Sequence, residues 1–256
     1  MVRTWWTAFT ALWVTIAAGS SVIAVATVRS TSGLIDRLIR WWARTLVHAA
    51  GIELSLEGGQ RIDPAQRYIL IANHYSYFDI PCVLASVQQP IRFLAKVSLF
   101  KIPIFGWAIG RAGFIPIDRK NRRTAVKSFD LAAERIRKGN TIVVFPEEGR
   151  SKYRLMRKFQ RGGFLLAMKS GLPILPLAID GTYDVFRVGA TRITPAKVTV
   201  RVGTPIPTAG RSVREKDRLA EDARAQIATM LGIEATEAEV AMGHPERSEG
   251  PQDTVT

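Results

Sequence analysis

The sequence predicts an α/β fold, with a mixed, largely parallel sheet covered by helices and an N-terminal membrane-anchoring helical segment. Short apolar runs of five or six residues alternate with stretches of helical character, the pattern of strand–helix–strand units with right-handed crossovers. A run of 24 uncharged residues stands near the N-terminus. The apolar fraction of 47% is sufficient for a packed core and excludes a largely disordered chain.

The uncharged run extends from Trp5 to Val28. As a straight helix it would measure about 36 Å at 1.5 Å per residue, which is enough to cross a hydrocarbon core of about 30 Å. The apolar part of a cleaved signal peptide is shorter, about 7–15 residues, so we expect an uncleaved anchor. Gly19-Ser20-Ser21 interrupts the run near its middle and leaves a second geometry open, a helical hairpin that dips into one leaflet.

A second N-terminal helix is expected over residues 34–47, where apolar residues recur at helical spacing opposite basic ones. Such a helix either lies on a membrane surface or packs on a core, and both interpretations stay open. The basic residues that follow the uncharged run are Arg29, Arg37, Arg40 and Arg44. They outnumber those before the run, which favours an inner-membrane protein with its catalytic side facing the cytoplasm. We therefore expect residues 1–50 to form a membrane anchor plus an amphipathic interfacial helix.

The remaining elements are expected in one domain, residues 51–235. Apolar runs predict strands over residues 68–72, 91–95, 113–117, 141–145, 174–179 and 198–202. Helical spacing predicts helices over residues 76–87, 124–138 and 214–231. Gly139 is placed to end the second of these helices. Residues 236–256 are rich in Glu, Gly, Pro, Ser and Thr and predict a disordered tail.

Charge and cysteine content restrict the function. The segment from Arg92 to Lys169 carries 19 basic and 5 acidic residues, a net charge of +14 that equals the charge of the whole chain. This basic segment is either a solvated face or a surface that attracts an anionic partner. The single cysteine, Cys82, excludes an internal disulfide, and one cysteine with three histidines offers no spaced metal-ligand set. We expect no metal and no resident cofactor.

A histidine and an aspartate follow the strand expected at residues 68–72. His74 and Asp79 are five residues apart, at the carboxyl end of a strand, where ligands of open α/β sheets collect. The carboxylate can bond one imidazole nitrogen, which leaves the other free to remove a proton from a hydroxyl group. A capping aspartate beside a hydrogen-bonded histidine is the structural alternative. Because no G-x-S-x-G sequence is present, direct attack by the substrate hydroxyl is the simpler mechanism.

Three further blocks stand at expected strand ends: Phe114-Ile-Pro-Ile-Asp-Arg119, Phe145-Pro-Glu-Glu-Gly-Arg-Ser151 and Ile174-Leu-Pro-Leu-Ala-Ile-Asp-Gly181. With the His74–Asp79 block, in this order, the chain resembles the 1-acylglycerol-3-phosphate acyltransferase family of glycerolipid acyltransferases. The resemblance extends over about residues 68–205 and includes Phe93-Leu-Ala-Lys96 and the apolar run 99–107.

The resemblance implies roles for individual residues. His74 would be the general base and Asp79 the carboxylate that orients it. Substrate-binding positions implied by the resemblance are Lys96, Arg119, Glu147, Gly149, Arg150 and Pro176. Among these, Arg119 would hold the acceptor phosphate, to which a guanidinium fork is well suited, and Pro176 would shape the site.

The resemblance also implies the reaction. We expect a membrane-bound enzyme that moves a fatty acyl group from acyl-CoA or acyl carrier protein to the free hydroxyl of 1-acylglycerol-3-phosphate, giving phosphatidic acid. Residues 99–107 would line a slot for an acyl chain or belong to the core. The alternatives are a hydrolase that activates water, and a non-enzymatic membrane-anchored module that binds anionic lipid. Nucleic-acid binding is not expected, because the central aromatic residues lie in apolar runs and not among exposed basic residues.

One block departs from the family pattern. The third block usually reads Glu-Gly-Thr-Arg, whereas this chain has Glu147-Glu148-Gly149-Arg150. The carboxylate of Glu148 would repel a dianionic phosphate unless it points away or pairs with Lys152 or Arg154. Another lyso-lipid, such as a lyso-amino-acid lipid or a lysophospholipid, is therefore the alternative acceptor.

Overall fold

The computed structural model of the chain describes residues 1–28, 33–118 and 122–233, without the side chains of residues 122–126. Its helices are α1 (Val2–Val28), α2 (Gly33–Ala50), α3 (Asp79–Ser86), α4 (Phe105–Ala112), α5 (Arg122–Arg137), α6 (Gly162–Ser170), α7 (Thr182–Phe186) and α8 (Lys216–Leu231). Its strands are β1 (Glu53–Glu57), β2 (Ile69–Ala72), β3 (Ile91–Lys96), β4 (Ile115–Ile117), β5 (Thr141–Val144), β6 (Ile174–Asp180) and β7 (Lys197–Val202).

The seven strands form one sheet in the order β1-β7-β6-β2-β5-β3-β4. All neighbouring pairs run parallel except β6 and β7, which are antiparallel. The predicted mixed, largely parallel sheet is therefore confirmed. Because β6, β2, β5 and β3 are parallel, their carboxyl ends meet at one edge of the sheet, and the loops at this edge carry the candidate site.

Helices cover both faces of the sheet. All four residues of β2 are buried, and their side chains alternate between two cores, since successive side chains of a strand point to opposite faces. Leu70 packs in the core that includes residues of α1 to α4. Ile71 packs in the core that includes residues of α5, α6 and α8. This double coverage explains why the central strands read as continuous apolar runs.

Helix α1 is long and apolar enough to cross a membrane, and only 28% of its most apolar window is buried. The helix is continuous through Gly19-Ser20-Ser21, so the hairpin within residues 5–28 that the sequence left open is wrong. One face packs on the domain: Thr7 Oγ1 donates to the Ala49 carbonyl at 2.9 Å, and Trp42 Nε1 donates to Thr15 Oγ1 at 2.9 Å. The exposed side chains on the other face are Trp5, Trp6, Phe9, Leu12 and Trp13.

Two further sequence expectations need correction. Helix α3 begins at Asp79 and not at residue 76, because the amides of Tyr75 and Ser76 donate to the Asp79 carboxylate and hold a turn before the helix. The apolar run 99–107 is divided between a 3-10 turn and the first residues of α4. Strand β1 and helices α4, α6 and α7 were not predicted. The tail expected over residues 236–256 lies outside the described residues.

Candidate active site

The loop after β2 is joined to the neighbouring strand by a buried asparagine. The Asn73 side chain donates to the Ile179 carbonyl at 2.9 Å and accepts from the Ile179 amide at 2.8 Å. These two bonds extend the pairing of β2 with β6 by one residue beyond the end of β2, through the side chain of Asn73. The next residue, His74, is thereby set at the carboxyl edge of the sheet.

His74 and Asp79 form a hydrogen-bonded pair, as the sequence predicted. The His74 Nδ1 to Asp79 Oδ2 distance is 2.7 Å, and the exposed fractions of the two side chains are 13% and 0%. An aspartate carboxylate only accepts hydrogen bonds, so Nδ1 carries the proton and donates. The lone pair of Nε2 is therefore free to take a proton from a hydroxyl group.

Asp79 is held by a set of hydrogen-bond donors. Oδ2 also accepts from the amides of Tyr75 and Ser76, each at 2.8 Å. Oδ1 accepts from Thr182 Oγ1 at 2.5 Å. Thr182 is buried in the first turn of α7, directly after β6, and sequence reasoning did not identify it. Its only sequence signal was its position one residue after the fourth block.

The imidazole of His74 is also fixed through its face. The Phe145 ring stacks on it with a centroid distance of 4.1 Å and an interplanar angle of 16°. Phe145 in turn stacks on Phe93, and Phe93 on Phe114. This column of rings limits rotation of the imidazole, whose edge is already held by Asp79.

Glu147 connects the His74 loop with the loop that follows β5. Its Oε1 accepts from the His74 amide and its Oε2 from the Arg157 amide, both at 2.8 Å. The residue is 2% exposed, and burial raises the pKa of Glu147 to about 8 against the opposing effect of these two amide bonds. Glu147 was expected to bind the acceptor; in the structure its carboxylate clamps two loops together.

Arg150 presents a guanidinium at the mouth of the site. Its Cζ lies 3.3 Å from the centroid of the Tyr77 ring, close enough for a cation–π interaction. Its Nη1 is buried without a hydrogen-bond partner among the described residues. Tyr77 belongs to the same turn as His74, so the two motifs meet here.

The departure in the third block has a structural consequence. Glu148, at the position where the family pattern has glycine, has a φ of 55°, a left-handed conformation that costs a non-glycine residue about 1–2 kcal/mol. Its side chain is exposed. Of the alternatives that the sequence left open for Glu148, a pairing with Arg154 is not formed, because Arg154 forms an ion pair with Asp184.

Glu148→Gly should stabilise the protein. Glycine removes the left-handed strain, and its greater freedom in the unfolded chain offsets part of that gain, leaving a net increase of about 0.5–1 kcal/mol in the free energy of unfolding. Urea unfolding in detergent would measure it. Glu148→Ala is the control, since it removes the same charge and keeps the strain. Equal effects of the two variants would show that charge, and not backbone strain, governs this position.

The other expected site residues are placed differently. Lys96 ends β3 and is exposed at the same edge of the sheet as His74. Pro176 is buried within β6, paired with Ile71, so it supports the sheet beneath the site. Arg119 lies outside the described residues.

An open cavity of about 580 Å³ lies between α1 and α4. The residues that line it are Ile23, Phe100, Gly106, Trp107, Gly110 and Arg111. Three of them belong to the run 99–107, which was expected to line an acyl slot or belong to the core.

The arrangement supports base catalysis on a hydroxyl group. The only cysteine, Cys82, is buried, and burial raises the pKa of its thiol, so this residue is unsuited to act as a nucleophile. Together with the accessible Nε2 of His74, this favours direct transfer to a substrate hydroxyl.

Comparisons with known proteins agree with this chemistry. A model of the family described as Acyltransferase matches residues 53–180, half of the chain. A chloroplastic 1-acyl-sn-glycerol-3-phosphate acyltransferase from Brassica napus is 31% identical over 166 residues, 64% of this chain and 46% of that protein. The human 1-acyl-sn-glycerol-3-phosphate acyltransferase alpha is 28% identical over 210 residues, 82% of this chain and 74% of that protein. The chain thus spans about half the length of the Brassica relative.

A solved structure is similar over nearly the whole chain. The crystal structure of the 1-acyl-sn-glycerophosphate acyltransferase from Thermotoga maritima aligns with a TM-score of 0.75 and 25% identity, covering 96% of this chain and 97% of that one. The similarity therefore includes the two N-terminal helices as well as the sheet.

Proposed function

Because the chain belongs to the Acyltransferase family, we propose that it transfers a fatty acyl group from a thioester carrier to the free hydroxyl of 1-acylglycerol-3-phosphate, giving phosphatidic acid. The observation that carries the proposal is the His74–Asp79 pair, bonded at 2.7 Å with Nε2 of the imidazole free. The names of the relatives support the choice of acceptor.

The proposed reaction is a direct displacement. His74 Nε2 takes the proton of the acceptor hydroxyl while the oxygen attacks the thioester carbonyl, and Asp79 stabilises the imidazolium that forms. The tetrahedral intermediate then expels the thiolate. The thiolate takes up the proton that His74 removed from the acceptor hydroxyl. An ester bond forms, the thioester bond breaks, and the histidine returns to its neutral state.

A phosphate on the acceptor fits the charge around the site. Arg150 has an unpartnered Nη1 and follows β5 at the edge that carries His74. A guanidinium forms charge-assisted, bidentate bonds with phosphate oxygens. From the resemblance, Arg119 would supply a second cation and Lys96 a third at the same edge.

The donor is proposed to be acyl-CoA or acyl carrier protein, with no resident cofactor. Both carriers are anionic and suit the basic segment 92–169, whose net charge is +14. We propose that the cavity of about 580 Å³ between α1 and α4 receives an acyl chain, because residues such as Phe100 and Trp107 line it.

We propose that the protein acts at the inner membrane with the site on the cytoplasmic side. Helix α1 presents aromatic side chains, among them Trp5 at 70% and Trp13 at 56% exposure, and indole rings favour the membrane interface. Its opposite face packs along α2 and α4, from Thr7 to Gly19. This favours a helix that lies along the domain at the membrane surface. Arg37 and Arg44 are exposed on α2 and suit anionic headgroups.

An acceptor panel tests the function. The purified protein in mixed micelles would receive long-chain acyl-CoA or acyl carrier protein with lysophosphatidic acid, lysophosphatidylcholine or monoacylglycerol, and the lipid products would be measured by mass spectrometry. We expect phosphatidic acid from lysophosphatidic acid, with at least tenfold lower kcat/KM for monoacylglycerol, which has no phosphate. Preference for lysophosphatidylcholine, or equal use of monoacylglycerol, would contradict the proposed acceptor.

A further inference from the structure

The segment after β5 places a second guanidinium, that of Arg157, beside Gly149, the residue that precedes Arg150 in the chain. A Cβ atom built on Gly149 would lie 3.0 Å from Nη1 of Arg157. This is tighter than ordinary van der Waals contact, so a side chain at position 149 would compete with the guanidinium for space. The family pattern has threonine here, whereas this chain has glycine. A side chain at position 149, such as the threonine of the family pattern, would therefore require the Arg157 guanidinium to move.

The backbone of Arg157 is tied to the catalytic loop. Its amide donates to Oε2 of Glu147 at 2.8 Å, and Oε1 of the same carboxylate accepts from the His74 amide at 2.8 Å. One buried side chain thus sets the backbone of Arg157 relative to that of the general base.

The charge of Arg157 is available for a ligand. Its side chain is exposed, and no carboxylate of the described residues forms an ion pair with it. Two other arginines of the same segment are engaged, Arg154 with Asp184 and Arg161 with Asp217. Arg157 therefore differs from these two arginines. Its guanidinium forms no ion pair with a carboxylate of the described residues, and its backbone amide is bonded to Glu147.

We infer that Arg157 binds the acceptor phosphate together with Arg150 and is a specificity-determining residue of this chain. Nη1 of Arg157 lies beside Gly149 and Arg150 is the next residue along the chain, so the two cations would offset the charge of Glu148, which is unfavourable for a dianionic phosphate. The inference rests on the proposed function, in that the acceptor carries a phosphate.

Arg157→Ala and Gly149→Thr test the inference, with Lys158→Ala as the matched control. Lys158 is the next residue, is also basic and exposed, and has no link to Glu147. Charge-assisted hydrogen bonds are worth about 1.5–3 kcal/mol, so Arg157→Ala should raise the KM for lysophosphatidic acid about 10- to 100-fold and change kcat less than threefold. Gly149→Thr should raise KM by displacing the guanidinium, and it should have little further effect in the Arg157→Ala background.

A binding measurement separates this inference from the proposed function. The probe is sn-glycerol 3-phosphate, whose ³¹P NMR line broadens when it binds. Broadening by the wild type that is lost in Arg157→Ala and kept in Lys158→Ala would support the inference even if no acyl transfer to lysophosphatidic acid occurred. Transfer with a KM that Arg157→Ala leaves unchanged would overturn the inference and leave the proposed function standing. No binding and no transfer by the wild type would overturn both.

Discussion

His74→Ala should lower kcat for acyl transfer by roughly 10³-fold or more. General base catalysis contributes about 10²–10⁴-fold. The Asp79 carboxylate holds Nδ1 of the imidazole at 2.7 Å and the Phe145 ring stacks on its face at 4.1 Å, which leaves Nε2 free. The KM for either substrate should change little, because the base acts on the hydroxyl proton during the chemical step. Initial rates in mixed micelles would measure both constants.

The control for this variant is His48→Ala, which removes an exposed histidine on α2. It should keep the wild-type rate, and circular dichroism should show that both variants are folded. A His74→Ala variant that is folded and retains more than a tenth of the wild-type kcat would exclude the residue as the base.

Asp79→Asn should affect both activity and stability. The carboxylate accepts four hydrogen bonds, from Nδ1 of His74, two amides and Thr182. An asparagine would turn an NH₂ group toward some of these donors and would no longer stabilise the imidazolium. We expect kcat to fall about 10³–10⁴-fold and the free energy of unfolding to fall by about 2–4 kcal/mol.

Asp184→Asn is the matched control for this variant, since it breaks an exposed ion pair with Arg154, and such pairs contribute about 0–1 kcal/mol. Circular dichroism would report folding, and urea titration the free energy of unfolding. An Asp79→Asn variant as stable as Asp184→Asn would contradict the role of the carboxylate in holding the loop. Thr182→Val should reproduce a small part of the stability loss, because it removes one of the four donors.

The sequence predicted the His74–Asp79 hydrogen-bonded pair because its determinants are local. His74 and Asp79 lie in one turn at the end of an apolar strand, and both the strand and the spacing are visible in the sequence. Thr182 and the bonding of Asn73 to Ile179 could not be predicted in the same way. They depend on β6 lying beside β2, a long-range pairing that no local pattern encodes.

Glycine misled the prediction of α6. The helix begins Gly162-Gly163, which reads as a loop signal, yet a Cβ on Gly163 would lie 2.9 Å from Cγ1 of Val144. The glycine is needed for close approach of the helix to the sheet. Helix α4 was also missed. It begins directly after Ile104, whose φ of 62° is rare for a β-branched residue, so the sequence does not indicate a helix start at this point.

The third block shows how packing changes an assignment made from a motif. Glu147 and Arg150 were expected to act alike on the acceptor, but burial separates them. Glu147 has both oxygens bonded to backbone amides, whereas Arg150 keeps an unpartnered nitrogen at the mouth of the site. The residue types alone could not predict that both oxygens of Glu147 would bond to backbone amides while Arg150 would keep an unpartnered nitrogen.

Thiol release by the wild-type protein, with long-chain acyl-CoA in the presence and absence of lysophosphatidic acid, tests direct transfer by the His74–Asp79 pair. We expect release only when the acceptor is present, at a rate equal to that of phosphatidic acid formation, because the acceptor oxygen itself attacks the thioester. A stoichiometric burst without acceptor would indicate an acyl-enzyme intermediate. Continuous release without acceptor would indicate hydrolysis, and either result would contradict direct transfer.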